Sequence, residues 1–373
     1  MAEHRPVARP RVAVIFGGTS SEHAVSCLTA ASVVKAIDHD RYEVVGIGIT
    51  TEGRWVRVAA EQMRELTVHR TTLPQLPADA VDALLLRGAT GTELATRAEG
   101  AILGVGAVDV AFALLHGPFG EDGTIQGMFE MTGVPYVGSG VLASAVGMDK
   151  HYMKLVLSAS AIPVGPFVVA TPSGWEHDRS AVLESVAAMT FPVYVKPARG
   201  GSSLGITKVS RPDDVPAAVA EAQRFDPKVI IEQGFEGVRE LECGVLEDAD
   251  GPQASVVAEI RMHTDSGFYD FEAKYLPGEQ VDRDGSADLE DRLSDRIREL
   301  AVRTFTTLGC EGLARVDFFL TRDGRLILNE INTMPGFTEH SMYPRVWAAS
   351  GVDYPELIDR LIRRALDRRT GLR

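Results

Sequence analysis

The sequence has few cysteines and no long apolar run. Its three cysteines (Cys27, Cys243 and Cys310) are scattered along 373 residues and share no metal-ligand spacing. Such usage is typical of a reducing compartment, so we expect a cytoplasmic protein whose cysteines are small buried apolar residues. No stretch approaches the ~20 consecutive apolar residues that span a bilayer, and no membrane segment is expected.

Positive charge is also scarce. There are 38 Lys and Arg residues against 52 Asp and Glu residues, which gives a formal net charge of -14. This balance provides no electrostatic reason to bind nucleic acid or an anionic membrane surface. The length exceeds the size at which one hydrophobic core usually keeps growing, so we expect two or three domains.

The N-terminal part alternates apolar strands with helical segments. Residues 12–16 form an apolar run that ends at Gly17-Gly18, and residues 44–49 and 108–115 repeat the pattern. Short apolar runs of this kind indicate buried parallel strands, which predicts an α/β domain with a parallel sheet. Residues 51–107 show only weak periodicity, and we expect hairpins and loops there.

The strongest chemical signal lies in residues 312–336 (GLARVDFFLTRDGRLILNEINTMPG). Two alternating strands flank an Arg-Asp-Gly turn, so pairing of the strands would bring Asp317, Glu330 and Asn332 onto one face. Oxygen ligands without His or Cys are typical of a magnesium site. The alternative is a solvated hairpin whose polar face meets only water, because any half-exposed strand alternates in this way.

A second signal is the segment 194–206 (YVKPARGGSSLGI). Lys196 ends an apolar strand, and small residues follow that let backbone N–H groups turn towards an anion, so we expect a phosphate-binding lid. A plain connecting turn would explain the glycines about as well. Lys150 and Glu232 could complete a nucleotide pocket, although each residue alone is more often on the surface.

Two polar groups follow strands of the N-terminal domain. Glu22 lies just after Gly17-Gly18, where it either complements a helix dipole or holds the ammonium group of a substrate. His116 begins a glycine-dense loop (HGPFGEDG) after the strand at 108–115. The carboxyl ends of strands are where α/β sheets bind ligands, so this loop is a candidate substrate contact.

Taken together, these segments resemble the D-alanine–D-alanine ligases of the ATP-grasp superfamily. The resemblance runs nearly from end to end, and the motifs follow one another in the family's order. Its segments are GGTSSEHAVS (17–26), HGPFGEDGTIQG (116–127), GSGVLASAVGMDK (138–150), VKPARGGSS (195–203), NEINTMPGF (329–337) and HSMYPRVW (340–347).

The resemblance implies an α/β (α+β) chain with a three-domain ATP-grasp fold and an N-terminal parallel-sheet domain. The expected domains are a substrate-binding domain (1–138), a central ATP-grasp subdomain (139–232) and a C-terminal ATP-grasp subdomain with the catalytic and magnesium sites (233–373). A cytoplasmic homodimer without nucleic-acid or membrane partners is expected.

The resemblance also implies a reaction. Two molecules of D-alanine and one ATP would give D-alanyl-D-alanine through a D-alanyl phosphate, with release of ADP and phosphate, for peptidoglycan synthesis. Two Mg²⁺ ions would assist, with Mn²⁺ able to substitute, and the metal ligands would be Asp317, Glu330 and Asn332.

Other residue roles come from the same resemblance. Arg315 and the backbone N–H of Gly336 would stabilise the tetrahedral oxyanion, and Glu22, Ser202 and Tyr275 would form a triad that closes the lid. The expected substrate contacts are Glu22, His116, Arg315, Gly336, Ser341 and Met342. The expected nucleotide contacts are Lys150, Lys196, Glu232, Glu240, Lys274 and Asn329.

Three alternatives stay open at this point. The chain could be another ATP-grasp ligase, although Glu22, Tyr275 and residues 340–342 belong to substrate recognition. It could be a nucleotide-binding regulatory module without turnover, which the presence of Arg315 and all three metal ligands disfavours. It could join D-alanine to D-lactate, but such ligases typically carry a histidine where this chain has Tyr275. Gln233 replaces a lysine often found beside Glu232, which leaves the adenine contact open.

Overall fold

A computed structural model describes residues 9–68, 74–77, 79–89, 91–262 and 281–371 of the chain. The chain forms two compact units. Unit 1 comprises Met1–Val141, Glu247–Gly251 and Met334–Arg373, and unit 2 comprises Leu142–Leu246 and Pro252–Thr333. The expected C-terminal subdomain (233–373) extends over parts of both units. The expected domain boundaries at residues 138 and 232 stay a prediction.

Unit 1 contains a mixed seven-stranded sheet. Its strands are β1 (Arg11–Gly17), β2 (Glu43–Ile49), β3 (Trp55–Val58), β4 (Asp82–Arg87), β5 (Thr92–Ala98), β6 (Ala101–Val108) and β7 (Val110–Ala113). They lie in the order β6-β5-β4-β3-β2-β1-β7. Strand β1 pairs in parallel with β2 and β7, which confirms the predicted parallel strands. Strands β3 to β6 extend the sheet with antiparallel pairing, so residues 51–107 are more regular than we predicted.

Helices from both ends of the chain belong to unit 1. They are α1 (His23–Ala36), α2 (Ala60–Arg64) and α3 (Thr124–Thr132), and near the C-terminus Met342–Ala349 and Tyr354–Leu366. The apolar core of this unit includes Ile15, Ile47, Leu115 and Phe129, which are all buried. Strand β6, at the edge of the sheet, exposes most of its residues, so buried and exposed side chains do not alternate along it.

Unit 2 contains two antiparallel sheets. The strands of the first are β8 (Phe167–Ala170), β9 (Val193–Pro197), β10 (Thr207–Val209) and β11 (Val229–Gln233). Those of the second are β12 (Arg239–Asp248), β13 (Gly251–Met262), β14 (Val281–Asp284), β15 (Leu313–Leu320) and β16 (Leu326–Asn332). The first sheet has the order β10-β9-β11-β8, and the second has the order β14-β13-β12-β15-β16.

The helices of unit 2 cover two separate apolar cores. One core packs beneath the four-stranded sheet and includes Val193, Val219 and Ile231. The other includes Leu157 and Phe305 and lies against the five-stranded sheet. The helices of unit 2 are α4 (Val141–Met148), α5 (Lys150–Ala159), α6 (Pro172–His177), α7 (Arg179–Ala187), α8 (Val215–Ala222) and α9 (Asp291–Leu308), with a short 3-10 helix at Pro212–Asp214. The two C-terminal helices of unit 1 are α10 (Met342–Ala349) and α11 (Tyr354–Leu366).

The cysteines are buried free thiols, as predicted. Burial raises the pKa of Cys27 to about 12, so this thiol stays protonated and behaves as an apolar residue. In the described part of the chain, no helix is long and apolar enough to cross a membrane.

Candidate active site

Strands β15 and β16 bring the predicted metal ligands together. Their antiparallel register places Asp317 opposite Glu330 and Arg315 opposite Asn332. The Nδ2 atom of Asn332 donates a hydrogen bond to Oδ2 of Asp317 at 3.0 Å. The convergence predicted from the alternating pattern is therefore present, whereas metal binding by these side chains stays a prediction.

The same hairpin contains an irregularity at Asn329. The register shifts where Asp317 pairs with Glu330 and the following Phe318 pairs with Leu328. One residue of β16, Asn329, is thus skipped by the ladder, as in a β-bulge. Bulges redirect side chains next to functional sites. The nucleotide contact expected for Asn329 stays a prediction.

Arg315 lies between two carboxylates. It donates to both oxygens of Asp317, from Nε at 2.8 Å and from Nη2 at 2.7 Å. Its Nε is also 3.2 Å from Oε2 of Glu242 on the neighbouring strand β12. Burial by itself would lower the pKa of Arg315, but the charges of Asp317 and Glu242 outweigh burial and hold that pKa well above its ordinary value. A fixed cation therefore lies beside the predicted metal ligands.

Glu242 is a residue that the sequence analysis missed. It pairs with Asp317 across β12 and β15 and is buried. The sequence contained a signal for it: Glu240 and Glu242 are two residues apart in β12, and residues so spaced lie on one face of a strand. Glu240 lies opposite Phe319 on that face, and its contact with nucleotide stays a prediction.

The chemistry of this donor set fits a hard divalent cation. Asp317 and Glu330 supply carboxylate oxygens and Asn332 supplies an amide, on adjacent strands of one sheet face. Oxygen ligands from one or two carboxylates suit Mg²⁺, which completes its shell with water and phosphate oxygens. Within the described ranges, no group of three His, Cys, Asp or Glu side chains is arranged as a metal site.

A second polar cluster joins helix α5 to strands β9 and β11. The Nζ atom of Lys196 is 2.5 Å from Oε2 of Glu232, and the Nζ atom of Lys154 is 3.2 Å from Oε1. Burial by itself would raise the pKa of Glu232, but Lys154 and Lys196 outweigh it and lower that pKa to about 2. Glu232 is therefore an anion held between two ammonium groups.

Lys150 connects this cluster to the hairpin and to the glycine-rich loop. Its Nζ is 3.1 Å from Oε2 of Glu330 and donates to the carbonyl oxygen of Gly200 at 2.9 Å. The preceding residue, Asp149, caps α5 by accepting hydrogen bonds from the first N–H groups of that helix. The cap fixes where α5 begins, and so fixes where the backbone of Lys150 lies.

The glycine-rich loop is anchored at its start by an ion pair. The guanidinium group of Arg199 donates to both oxygens of the buried Asp226, from Nε at 3.0 Å and from Nη2 at 2.7 Å. Beyond this anchor, Ser202 and Ser203 have φ angles of 51° and 58°. Residues other than glycine rarely adopt this left-handed backbone conformation, and such strained residues are common at ligand-binding loops. This local strain is consistent with the anion-binding lid predicted from the sequence.

Unit 1 holds the expected contacts of the first substrate. Gly17 ends β1 with a φ of 92°, and a Cβ atom there would lie 2.2 Å from the carbonyl oxygen of Ile49, so only glycine permits the turn. Glu22 follows this turn and is buried just before α1. Ser20 donates from its hydroxyl to the carbonyl oxygen of His116 at 2.9 Å, which joins the two predicted loops.

His116 is a buried histidine in this group. Burial lowers its pKa, while the charge of Glu22 and a hydrogen bond to the backbone of Met334 act in the opposite direction. Glu22 and His116 are thus close enough to influence each other's charge. A buried carboxylate can be compensated by an ammonium group, and the expected role of Glu22 in holding the substrate ammonium stays a prediction.

The expected contacts of the second substrate also lie together. A Cβ atom on Gly336 would be 3.3 Å from Oγ of Ser341, so the two residues are neighbours. Ser341 accepts a hydrogen bond from the N–H of Thr338 at 3.1 Å, and Met342 begins helix α10 as a buried residue. This arrangement places a hydroxyl group at the N-terminus of a helix, which favours a carboxylate ligand.

The predicted residues therefore fall into two groups, one in each unit. Lys274 and Tyr275 lie outside the described residues. Unit 1 contains Glu22, His116, Gly336, Ser341 and Met342, and unit 2 contains Lys150, Lys196, Ser202, Glu232, Glu240, Arg315, Asp317, Asn329, Glu330 and Asn332.

Comparison with known proteins assigns both parts of the chain. A family described as D-ala D-ala ligase N-terminus matches residues 11–139, and one described as D-ala D-ala ligase C-terminus matches residues 156–363. The D-alanine–D-alanine ligase of Kineococcus radiotolerans is 52% identical, over 98% of this chain and 99% of its own length.

Solved structures agree with this assignment. The D-alanine-D-alanine ligase from Coxiella burnetii superposes with a TM-score of 0.80 at 31% identity, over 97% of this chain and 95% of its own. The VanG D-Ala:D-Ser ligase from Enterococcus faecalis also gives 0.80, at 33% identity, over 95% of this chain and 99% of its own. The chain belongs to the D-alanine–D-alanine ligase family and is an ATP-dependent ligase with the ATP-grasp fold.

Proposed function

We propose that this ligase joins two molecules of D-alanine to D-alanyl-D-alanine, which supplies peptidoglycan synthesis. The observation that carries the proposal is the arrangement around Arg315, a fixed cation between Asp317 and Glu242 beside the oxygen ligands of the hairpin. The match to D-alanine–D-alanine ligases over nearly the whole chain supports the choice of substrates.

Binding of ATP is the first step that these residues explain. Lys150 and Lys196 supply ammonium groups for phosphate oxygens, and the loop from Gly200 to Gly205 supplies backbone N–H groups. Glu232 and Glu240 are proposed to contact the nucleotide base and ribose, with Asn329 and Lys274 as further contacts. Two Mg²⁺ ions, replaceable by Mn²⁺, are proposed to be held by Asp317, Glu330 and Asn332; when bound, they neutralise phosphate charge.

The chemistry then proceeds in two steps. Glu22 holds the ammonium group of the first D-alanine, whose carboxylate oxygen forms a bond to the γ-phosphorus as the bond to ADP breaks. The amine of the second D-alanine attacks the resulting acyl carbon and loses a proton, and inorganic phosphate departs. Arg315 and the N–H of Gly336 stabilise the oxyanion between these two events.

Substrate position completes the proposal. Ser341 and Met342 bind the carboxylate of the second D-alanine, and His116 lies beside the first. Ser202, Tyr275 and Glu22 are proposed to close the lid, which excludes water from the acyl phosphate.

We also propose that the protein is a cytoplasmic homodimer. Light scattering of the purified protein tests the dimer, and three buried free thiols are consistent with a reducing compartment.

The test is ADP release from purified protein with ATP and Mg²⁺. D-alanine alone should support turnover and yield the dipeptide, whereas L-alanine alone should not. D-alanine with D-serine or D-lactate tests the second substrate, because one structural neighbour is a D-Ala:D-Ser ligase. Turnover only with D-serine or D-lactate would overturn the choice of second substrate, and no ADP release in any mixture would favour a nucleotide-binding module.

A further inference from the structure

Helix α5 places a second lysine behind the proposed nucleotide site. Lys154 follows Lys150 by one helical turn, so both side chains lie on one side of α5. The Lys154 side chain is only 2% exposed, and its Nζ is 3.2 Å from Oε1 of Glu232. A lysine is rarely buried so completely unless its charge is paired, so the contact with Glu232 compensates the burial of this ammonium group.

Lys154 and Lys196 divide the carboxylate of Glu232 between them. Lys196 contacts Oε2 at 2.5 Å, and Lys154 contacts the other oxygen. These three groups carry two positive charges and one negative charge, so the cluster keeps one net positive charge. With Lys196 as its sole cation, Glu232 would instead form a neutral pair and would hold the Lys196 ammonium group more tightly.

We propose that Lys154 is a positioning residue of the nucleotide site, acting through Glu232 to fix that carboxylate and to leave charge on Lys196 for ATP. The inference rests on the proposed function of Lys196 and Glu232 as nucleotide contacts. Lys154 is 2% exposed and contacts Glu232, so we place its action on that carboxylate. Burial lowers the pKa of Lys154, Glu232 opposes that effect and Lys196 adds to it, so the charge of Lys154 depends on its contact with Glu232.

The main alternative is a purely structural ion pair that ties α5 to β11. Such a pair would affect the stability of the protein and the fraction of active enzyme. It would not change the Michaelis constant for ATP separately from that for D-alanine. The two roles can therefore be separated by steady-state kinetics of the full-length enzyme.

The decisive variant is Lys154→Met, which keeps an unbranched side chain and removes the charge. We expect the KM for ATP to rise about tenfold or more, as for other groups that orient a ligand contact, with the KM for D-alanine changed less than about twofold. Lys154→Arg should restore most of the ATP affinity. Lys208→Met, which removes an exposed lysine of the same unit, should leave both constants unchanged.

A double variant covers the case in which Lys154→Met does not fold. Lys154→Met with Glu232→Gln removes Lys154 and its carboxylate partner together, so neither of these two buried charges is left without the other. Its KM for ATP should equal that of Glu232→Gln by itself, because Lys154 acts through Glu232. An additional increase, or an unchanged KM for ATP in folded Lys154→Met, would overturn the inference. Failure of the wild-type enzyme to release ADP with D-alanine would instead sink the proposed function.

Discussion

Arg315 and Asp317, two residues apart on one face of β15, form a two-point ion pair with N–O distances of 2.8 and 2.7 Å. Glu242 approaches the same guanidinium group from β12 at 3.2 Å. The cation is therefore held in position before any substrate binds. Groups that are already oriented towards a developing negative charge stabilise a transition state without reorganisation.

The first prediction concerns Arg315→Lys. Turnover should fall about 10²- to 10³-fold, as for other oxyanion donors, because a lysine cannot reproduce the two-point geometry. The fold should be kept, since a positive charge still separates Asp317 from Glu242; alanine would leave these two carboxylates facing each other. Circular dichroism and kcat measure the two effects. Arg325→Lys, in the exposed hairpin turn, is the control, and near-normal turnover of folded Arg315→Lys would contradict the proposed role.

The second prediction concerns dependence on divalent metal. In Asp317→Asn, the Mg²⁺ concentration for half-maximal activity should rise by about tenfold or more, because a carboxylate ligand becomes an amide. Asp323→Asn, six residues further along the same hairpin and exposed in its turn, is the matched control. Binding of Mn²⁺, followed by electron paramagnetic resonance, gives a readout independent of turnover. Equal Mn²⁺ affinity in Asp317→Asn and wild type would exclude Asp317 as a ligand.

Local patterns account for the part of the site that the sequence predicted. The alternation in β15 and β16 and the turn between them fix which side chains share a face, because strand periodicity and a short hairpin determine the register. Asp317, Glu330 and Asn332 could therefore be grouped without a structure. The motif segments, read as a family resemblance, added Glu22, Ser341 and the ATP-grasp fold.

Contacts between distant segments could not be obtained in this way. Lys154 meets Glu232, and Glu242 meets Arg315, only because separate helices and strands pack in one particular arrangement. Chain order also suggests contiguous domains, whereas Met334–Arg373 belongs to the same unit as the N-terminal segment. That return depends on tertiary contacts such as the one between Tyr42 and Asp359, which no local pattern reveals.

The third prediction concerns the charge of His116. Burial lowers its pKa below the ordinary value of 6.5, against the opposing effect of Glu22, so its ring should stay neutral at pH 6.5. The contribution of His116 to stability is then present above pH 6.5 and is lost as pH falls through its lower folded pKa. Nuclear magnetic resonance of the labelled imidazole, assigned with His116→Gln, measures the midpoint.

Glu22→Gln provides the matched variant for this measurement. Removal of the negative charge should lower the His116 midpoint further, because the favourable interaction with the imidazolium is lost. It should also raise the KM for D-alanine, since Glu22 is the proposed partner of the substrate ammonium group. A His116 midpoint at or above 6.5 would show that burial does not control this histidine. A midpoint that Glu22→Gln raises would show that Glu22 does not favour the charged imidazole.

The last prediction concerns alkaline stability. The hydroxyl of Tyr42 donates to Oδ1 of the buried Asp359 at 2.8 Å, and Arg41 and Arg363 also contact that carboxylate. Burial, assisted by Asp359, raises the pKa of Tyr42 from 10.0 to about 12. A raised pKa means that stability is fully present below pH 10 and is lost as pH rises through about 12, because the unfolded chain loses the proton first.

Tyr42→Phe should therefore act in two ways. At pH 7 the free energy of unfolding should fall by about 2 kcal/mol, the range for a hydrogen bond to a charged group. Between pH 10 and 12, urea unfolding midpoints of the variant should decline less steeply than those of the wild type, since one titrating group is gone. Tyr152→Phe, at an exposed tyrosine, should keep the wild-type slope. Equal slopes for Tyr42→Phe and wild type would show that ionisation of the Tyr42 hydroxyl does not cause the loss of stability between pH 10 and 12.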